Sequence, residues 1–175
     1  MSYAQPVVAT PDFEWSIALP ENGIPLESYA PDWDGIAATR SAAAEAGSAV
    51  TVLLPGVDES GAPLMGSLAV AWMRVPQRTG LAELAPGFGG GKADRCEQVS
   101  GAGVSLLVQE PVHATAISVQ ALRRFTDTPW VVVVAAYLPG VADRETLREL
   151  AIEVALSIRP KSADGLAVNR PVADR

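Results

Sequence analysis

The longest apolar run of the chain, "WVVVVAAYL" (130–138), is β-branched, unbroken and uncharged over its first eight residues. Such a segment reads as a strand buried on both faces. Its neighbours decide what kind of sheet holds it. Upstream, "RRFTDTP" (123–129) is a turn, and "VHATAISVQAL" (112–122) is a second strand. "VSLLVQ" (104–109) and "RCEQVS" (95–100), joined by "GAG", read as a hairpin. Downstream, "PGVADRETLRELAIEVALSIRP" (139–160) places Leu147, Leu150, Ala151, Val154 and Ile158 at helical spacing. Asp143 is the expected N-cap, and Pro160 the expected stop. Short turns rather than helical crossovers connect these strands, so the sheet is antiparallel.

The front half carries the same signals. "FEWSIAL" (13–19) alternates, with Phe13, Trp15, Ile17 and Leu19 on one face. "PENG" (20–23) is a turn, and "IPL" (24–26) reads as a short edge strand limited by Pro25. "PDWDGIAATRSAAAEAG" (31–47) has helix start and stop signals around an Ala-rich middle, with Trp33 as its anchor. "AVTVLL" (49–54) and "LMGSLAVAWMRV" (64–75) form a hairpin around the loop 55–63. In the second of these strands the small face Ser67, Ala69, Ala71 implies a helix packed close above it. "QRTGLAELA" (77–85) reads as a short helix.

The reading is therefore α+β: an antiparallel β-sheet of about 6–8 strands with two main helices packed on it, in one domain over 12–160. Residues 1–11 are expected to be loose and 161–175 a disordered tail.

Composition narrows the function. The formal net charge is −7, which repels nucleic-acid phosphates. One cysteine, Cys96, cannot form an intramolecular disulfide and suits a reducing, cytoplasmic setting. The first fifteen residues lack the basic and apolar regions of a signal peptide. No apolar run approaches the roughly 20 residues of a membrane span.

"APGFGGGKADR" (85–95) invites a phosphate-loop reading, and its residues reject it. The position six before Lys92 is Pro86 rather than glycine, and Ala93 replaces the hydroxyl residue that would bind magnesium. A helix precedes the loop and a strand follows, the reverse of what an anion at a helix N-terminus requires. The glycine loop, 87–91, is instead expected to be a connection. Cys96 and His113 both fall in strands, and one of each makes neither a thiol catalyst nor a zinc site. No catalytic, cofactor-binding or metal-binding residues are expected, and no cofactor. A weaker option is a hydrolase or transferase using Asp94, Glu97 and Glu110.

A three-strand meander followed by a closing helix, "GVSLLVQ", "VHATAISVQAL", "PWVVVVAAYLPG" and "RETLRELAIEVALSIRP", resembles the end of the PsbP-like fold. The front half is similar to uncharacterised bacterial proteins with a tryptophan-containing entry (Trp33), an Ala-rich helix (36–46) and a "G-x-P-L" strand start (Gly61–Leu64). The resemblance implies a non-enzymatic adaptor or assembly factor and assigns no site residues.

The expected function is a binding or accessory module whose partner is another protein, with a homodimer as an option, no nucleic acid as a partner and no membrane span. Expected contacts are Asp58 and Glu59 on the hairpin loop, Phe88 and Lys92 in the glycine loop, and Trp33 and Trp72. The alternative is a small apolar-ligand binder with a tryptophan-lined pocket between sheet and helix.

Overall fold

The computed structural model describes residues 3–4, 7–10, 13–25, 48–58, 60–88, 93–101, 104–111, 116–126, 128–139 and 144–162. Its strands are β1 (Tyr3–Ala4), β2 (Val7–Ala9), β3 (Phe13–Ser16), β4 (Leu19–Pro20), β5 (Ile24–Pro25), β6 (Ser48–Val57) and β7 (Pro63–Arg74), then β8 (Ala93–Gly101), β9 (Val104–Pro111), β10 (Ala116–Arg124), β11 (Trp130–Pro139) and β12 (Arg159–Ser162). Helix α1 (Leu81–Leu84) runs into a 3₁₀ turn (Ala85–Phe88), and α2 spans Arg144–Ser157.

The main sheet has seven strands in the order β5-β6-β7-β11-β10-β9-β8, each pairing antiparallel. The "WVVVV" strand lies in its middle, as an uncharged strand must, with Val131, Val132 and Val134 fully buried. Antiparallel strands with helices packed on them make the α+β architecture that the sequence implies. One of the two expected main helices, α2, is described; the Ala-rich segment 31–47, with Trp33, lies outside the described residues.

The two faces of this sheet are covered differently. On one, α2 buries Leu147, Ala151, Val154 and Ala155 over β10 and β11. Leu68, Val70, Trp72, Val119, Ala121, Val132, Val134 and Ala136 join that core. On the other, Ala85, Leu107, Leu122 and Val133 form a smaller cluster against which Met73, Leu81, Leu84 and Phe88 pack. The short α1 segment sits over β9 and β10, and Met73 from the small face of β7 packs against the same cluster.

Trp15 lies at the centre of the larger core. Its ring meets Trp72 at 6.0 Å and the edge of Phe125 at 4.9 Å. Its indole N–H donates to Thr10 Oγ1 at 2.9 Å, so the polar end of a fully buried ring is satisfied. Between β7 and β11 the backbones approach so closely that a Cβ on Gly66 would sit 2.6 Å from the Tyr137 carbonyl oxygen.

Several segments differ from the sequence reading. The stretch expected to be loose, 1–11, contributes β1 and β2. β2 pairs with β3, and β3 with β12, in a second sheet of order β12-β3-β2. The "FEWSIAL" segment therefore does not pair with the Ile24–Pro25 strand, which joins β6 instead. α2 ends at Ser157, and Pro160 sits in β12 opposite Trp15. That strand carries order to Ser162, into the expected tail. The chain also leaves β7 and crosses to the far edge of the sheet before β8 begins.

Candidate interaction surfaces

The outward flank of α2 borders a cavity of about 500 Å³, lined by Thr146, Glu149, Leu150, Glu153, Leu156 and Ser157 together with Ala18. Helical spacing generates this flank. Residues three and four apart fall on one side, so Glu149 and Glu153 stand one turn apart, with Leu150 and Leu156 supplying apolar surface. Ser157 fixes the opposite wall: its hydroxyl accepts from the Ala18 N–H at 3.0 Å and donates to the Val154 carbonyl at 2.7 Å.

Arg123 holds the end of the helix. It is 6% exposed, and its Nη1 donates to the carbonyls of Ala155 (2.6 Å), Leu156 (3.2 Å) and Ile158 (3.0 Å). These are the carbonyls a helix C-terminus leaves without partners, and the positive charge suits the negative end of the helix dipole. The guanidinium also lies 4.4 Å from the Phe125 ring centroid. Burial, with the nearby Arg159 charge, lowers the Arg123 pKa to about 10, so the group stays charged at neutral pH. At the other end of α2, Arg144 bonds to the buried Glu110 carboxylate at 3.2 Å and ties the helix start to β9.

The residues singled out from sequence meet different fates. Trp72 is fully buried in the larger core, so it is no contact residue. Trp15 and Trp130 are buried with it; these rings fill the space where a tryptophan-lined pocket was expected. Asp58 is bonded within its own loop: Oδ1 accepts from the Ser60 hydroxyl (2.6 Å), the Ser60 N–H (2.8 Å) and the Ala62 N–H (2.9 Å). The Ser60 hydroxyl, then the Ala62 amide, hold its carboxyl below the ordinary 3.8. Asp58 thus serves the turn, which Gly61 completes with φ of +82°. Phe88 is half-buried against the smaller cluster. Glu59, Lys92, Trp33 and His113 lie outside the described residues, as do the side chains of Asp94, Cys96 and Glu97. Among the described residues, no three His, Cys, Asp or Glu side chains gather into a metal site.

The glycine loop is better built at its start than a plain connection. Gln109, fully buried on β9, donates through Nε2 to the carbonyls of Ala85 (3.2 Å) and Phe88 (3.3 Å) and to Gln120 Oε1 (2.7 Å). The 3₁₀ turn is thereby pinned to the sheet. Sequence reading missed Gln109 and Arg123. Arg123 had a visible signal: it continues the alternation Val119, Ala121 on the buried face of β10.

No protein-family model matches the sequence, and no curated protein matches it. The fold does have solved relatives. The Ran-binding protein Mog1p of Saccharomyces cerevisiae superposes with a TM-score of 0.55 at 12% identity, over 95% of this chain and 100% of that one. A mutant of Mog1 gives 0.56 at 11% identity, over 94% and 98%. At such identity the likeness is one of fold, an antiparallel α+β architecture. The PsbP-like resemblance finds support only at that coarser level. No helix among the described residues is long and apolar enough to cross a membrane.

Proposed function

We propose that this chain is a non-enzymatic protein-binding module that receives a basic, partly apolar segment of a partner along the outer flank of α2. The observation that carries this is the cavity lined by Glu149 and Glu153 with Leu150 and Leu156 between and beside them. Two carboxylates one helical turn apart make an acidic rail, and leucines beside it offer area that becomes favourable when water is excluded. The overall charge of −7 favours the same sign of partner. Mog1p, whose fold this chain shares, is described as Ran-binding, and PsbP-like proteins, which the sequence resembles, act as adaptors. Both fit a module that works by contact, and the lone cysteine suits a cytoplasmic setting.

The test is a titration of isotope-labelled protein with a short alternating Lys-Leu peptide, read by amide chemical shifts. The expected perturbations fall on 146–157 and Ala18, and the double variant Glu149→Lys, Glu153→Lys weakens binding roughly tenfold or more. Perturbations elsewhere, or an equal response to an alternating Glu-Leu peptide, overturn the reading.

A further inference from the structure

The groove on α2 has a shape that selects the conformation of what fills it. With 3.6 residues to a turn, Thr146, Glu149, Leu150, Glu153, Leu156 and Ser157 fall within an arc of roughly 120° around the helix axis. Glu149 and Glu153 lie inside that arc, and Leu150 and Leu156 stand at its two margins. The stripe runs straight along the helix for about 16 Å, or three turns. Leu147, Ala151, Val154 and Ala155 face the sheet instead.

The walls of the groove offer no backbone ladder. The N–H and C=O groups of a helix run along its axis and pair within it. Carbonyls left over at the end of α2 accept from Arg123. Among the described lining residues, Ala18 alone lies outside α2. It belongs to no strand, and its N–H donates to Ser157 Oγ. An extended segment lying here would strip water from its own N–H and C=O groups and find no row of partners, which is costly. Strand addition needs a sheet edge, whereas a helix arrives with its backbone already paired.

Side-chain directions favour the same occupant. An extended chain sends successive side chains to opposite sides, so alternating basic and apolar residues turn only one kind toward the groove. A helix sets a basic row and apolar rows side by side on one face.

We infer that the segment received by this groove is an amphipathic helix laid along α2, with a cationic row over Glu149 and Glu153 and apolar rows against Leu150 and Leu156. This rests on the reading of the α2 flank as the binding surface and adds the conformation of the partner. Cationic residues four apart in such a helix are separated by about 6 Å along its axis, the same step that separates Glu149 from Glu153. Rows of side chains on two helices interlock at axis separations of about 8–10 Å. A helix of three turns is marginal alone in water, so a free peptide gains helix as it binds.

Three synthetic peptides of equal length test this against the labelled full chain. The first is Ala-rich, with Lys at i, i+4 and i+8 and Leu on both flanks of that row. The second is the same peptide with proline at its centre. The third alternates Lys and Leu. The first is expected to perturb amides over 146–157 and Ala18, to become helical by its carbon-13 shifts, and to bind roughly tenfold tighter than the third, because it satisfies its own backbone. The central proline weakens it roughly tenfold or more. A version with Glu in place of each Lys prefers the double variant Glu149→Lys, Glu153→Lys, whose folding circular dichroism confirms, over the wild type. Equal or tighter binding of the alternating peptide overturns the helix and leaves a basic partner standing. So does a harmless proline or a bound peptide that stays extended. Charge-swapped peptide that shows no preference for the double variant overturns the cationic row. If none of the three perturbs 146–157, the helix and the binding surface fall together.

Discussion

The two faces of the seven-stranded sheet are held by different chemistry. Beneath α2, among the described residues, twenty-two buried apolar side chains form one core. Beneath α1 and its 3₁₀ turn, four do. Each fully buried large side chain contributes roughly 1.5–3 kcal/mol, so among the described residues the α2 face carries the larger apolar share. The α1 face compensates with a polar clamp, Gln109, whose amide reaches two carbonyls of the turn. The larger core also has a polar device, Arg123, but there it closes a helix end that packing already holds in place. The lesson is that apolar area fixes the long element, whereas a short one needs directed bonds.

Three substitutions probe that contrast. Arg123→Met removes charge-assisted bonds to three carbonyls and leaves the Ala155 oxygen without that donor. Thermal unfolding is expected to show a loss of about 3 kcal/mol, since bonds to charged groups are worth roughly 1.5–3 kcal/mol each and outweigh the relief from releasing a buried charge. An unchanged melting temperature would break the claim that this arginine secures α2.

Gln109→Leu keeps the volume and loses the clamp. The expected cost is about 1–2 kcal/mol, with hydrogen exchange quickening over 81–88 and unchanged over 147–155. Equal quickening in both segments would show that the two faces unfold as one unit.

Asp58→Ala, on a hairpin tip belonging to neither face, sets the baseline. The folded pKa is depressed, so the contribution of the carboxylate is fully present above 3.8 and fades as pH falls through the folded value. Wild-type and variant melting curves, slightly apart at pH 7, are expected to converge in acid. Divergence there would mean that the turn depends on something other than the charged carboxylate.

How far the sequence could be read follows from where each signal's partner lies. The β6–β7 hairpin, the β9–β10–β11 meander and α2 were legible because their patterns are local: alternation, turn residues, and the Leu147–Ala151–Val154 stripe. Period-two alternation marks "FEWS" as a strand but not its neighbours, which come from Val7–Ala9 and Arg159–Ser162. Pro160 was read as a stop because proline cannot continue a helix; it is equally at home in the short outer strand it occupies. Gln109 and Arg123 looked like ordinary polar strand residues, since the carbonyls they serve lie on other elements. The groove on α2 was present in the spacing of Glu149 and Glu153, yet a charged helix flank is ordinary, and Ala18 completes the wall only in three dimensions. Among the singled-out residues, Trp72 was misassigned because a ring that fills a core and a ring that greets a ligand have the same letter.

The crossing from β7 to the far edge of the sheet sets a timetable for folding. Trp72 finds its strand partner at Val132, so during synthesis the first hairpin emerges with one apolar border uncovered. It must wait for the chain to lay down three further strands before β11 closes the gap. Distant pairings of this kind slow folding and lengthen the exposure of sticky intermediates. A polypeptide wired this way gains its central seam late, and its newborn form is the one most in need of protection.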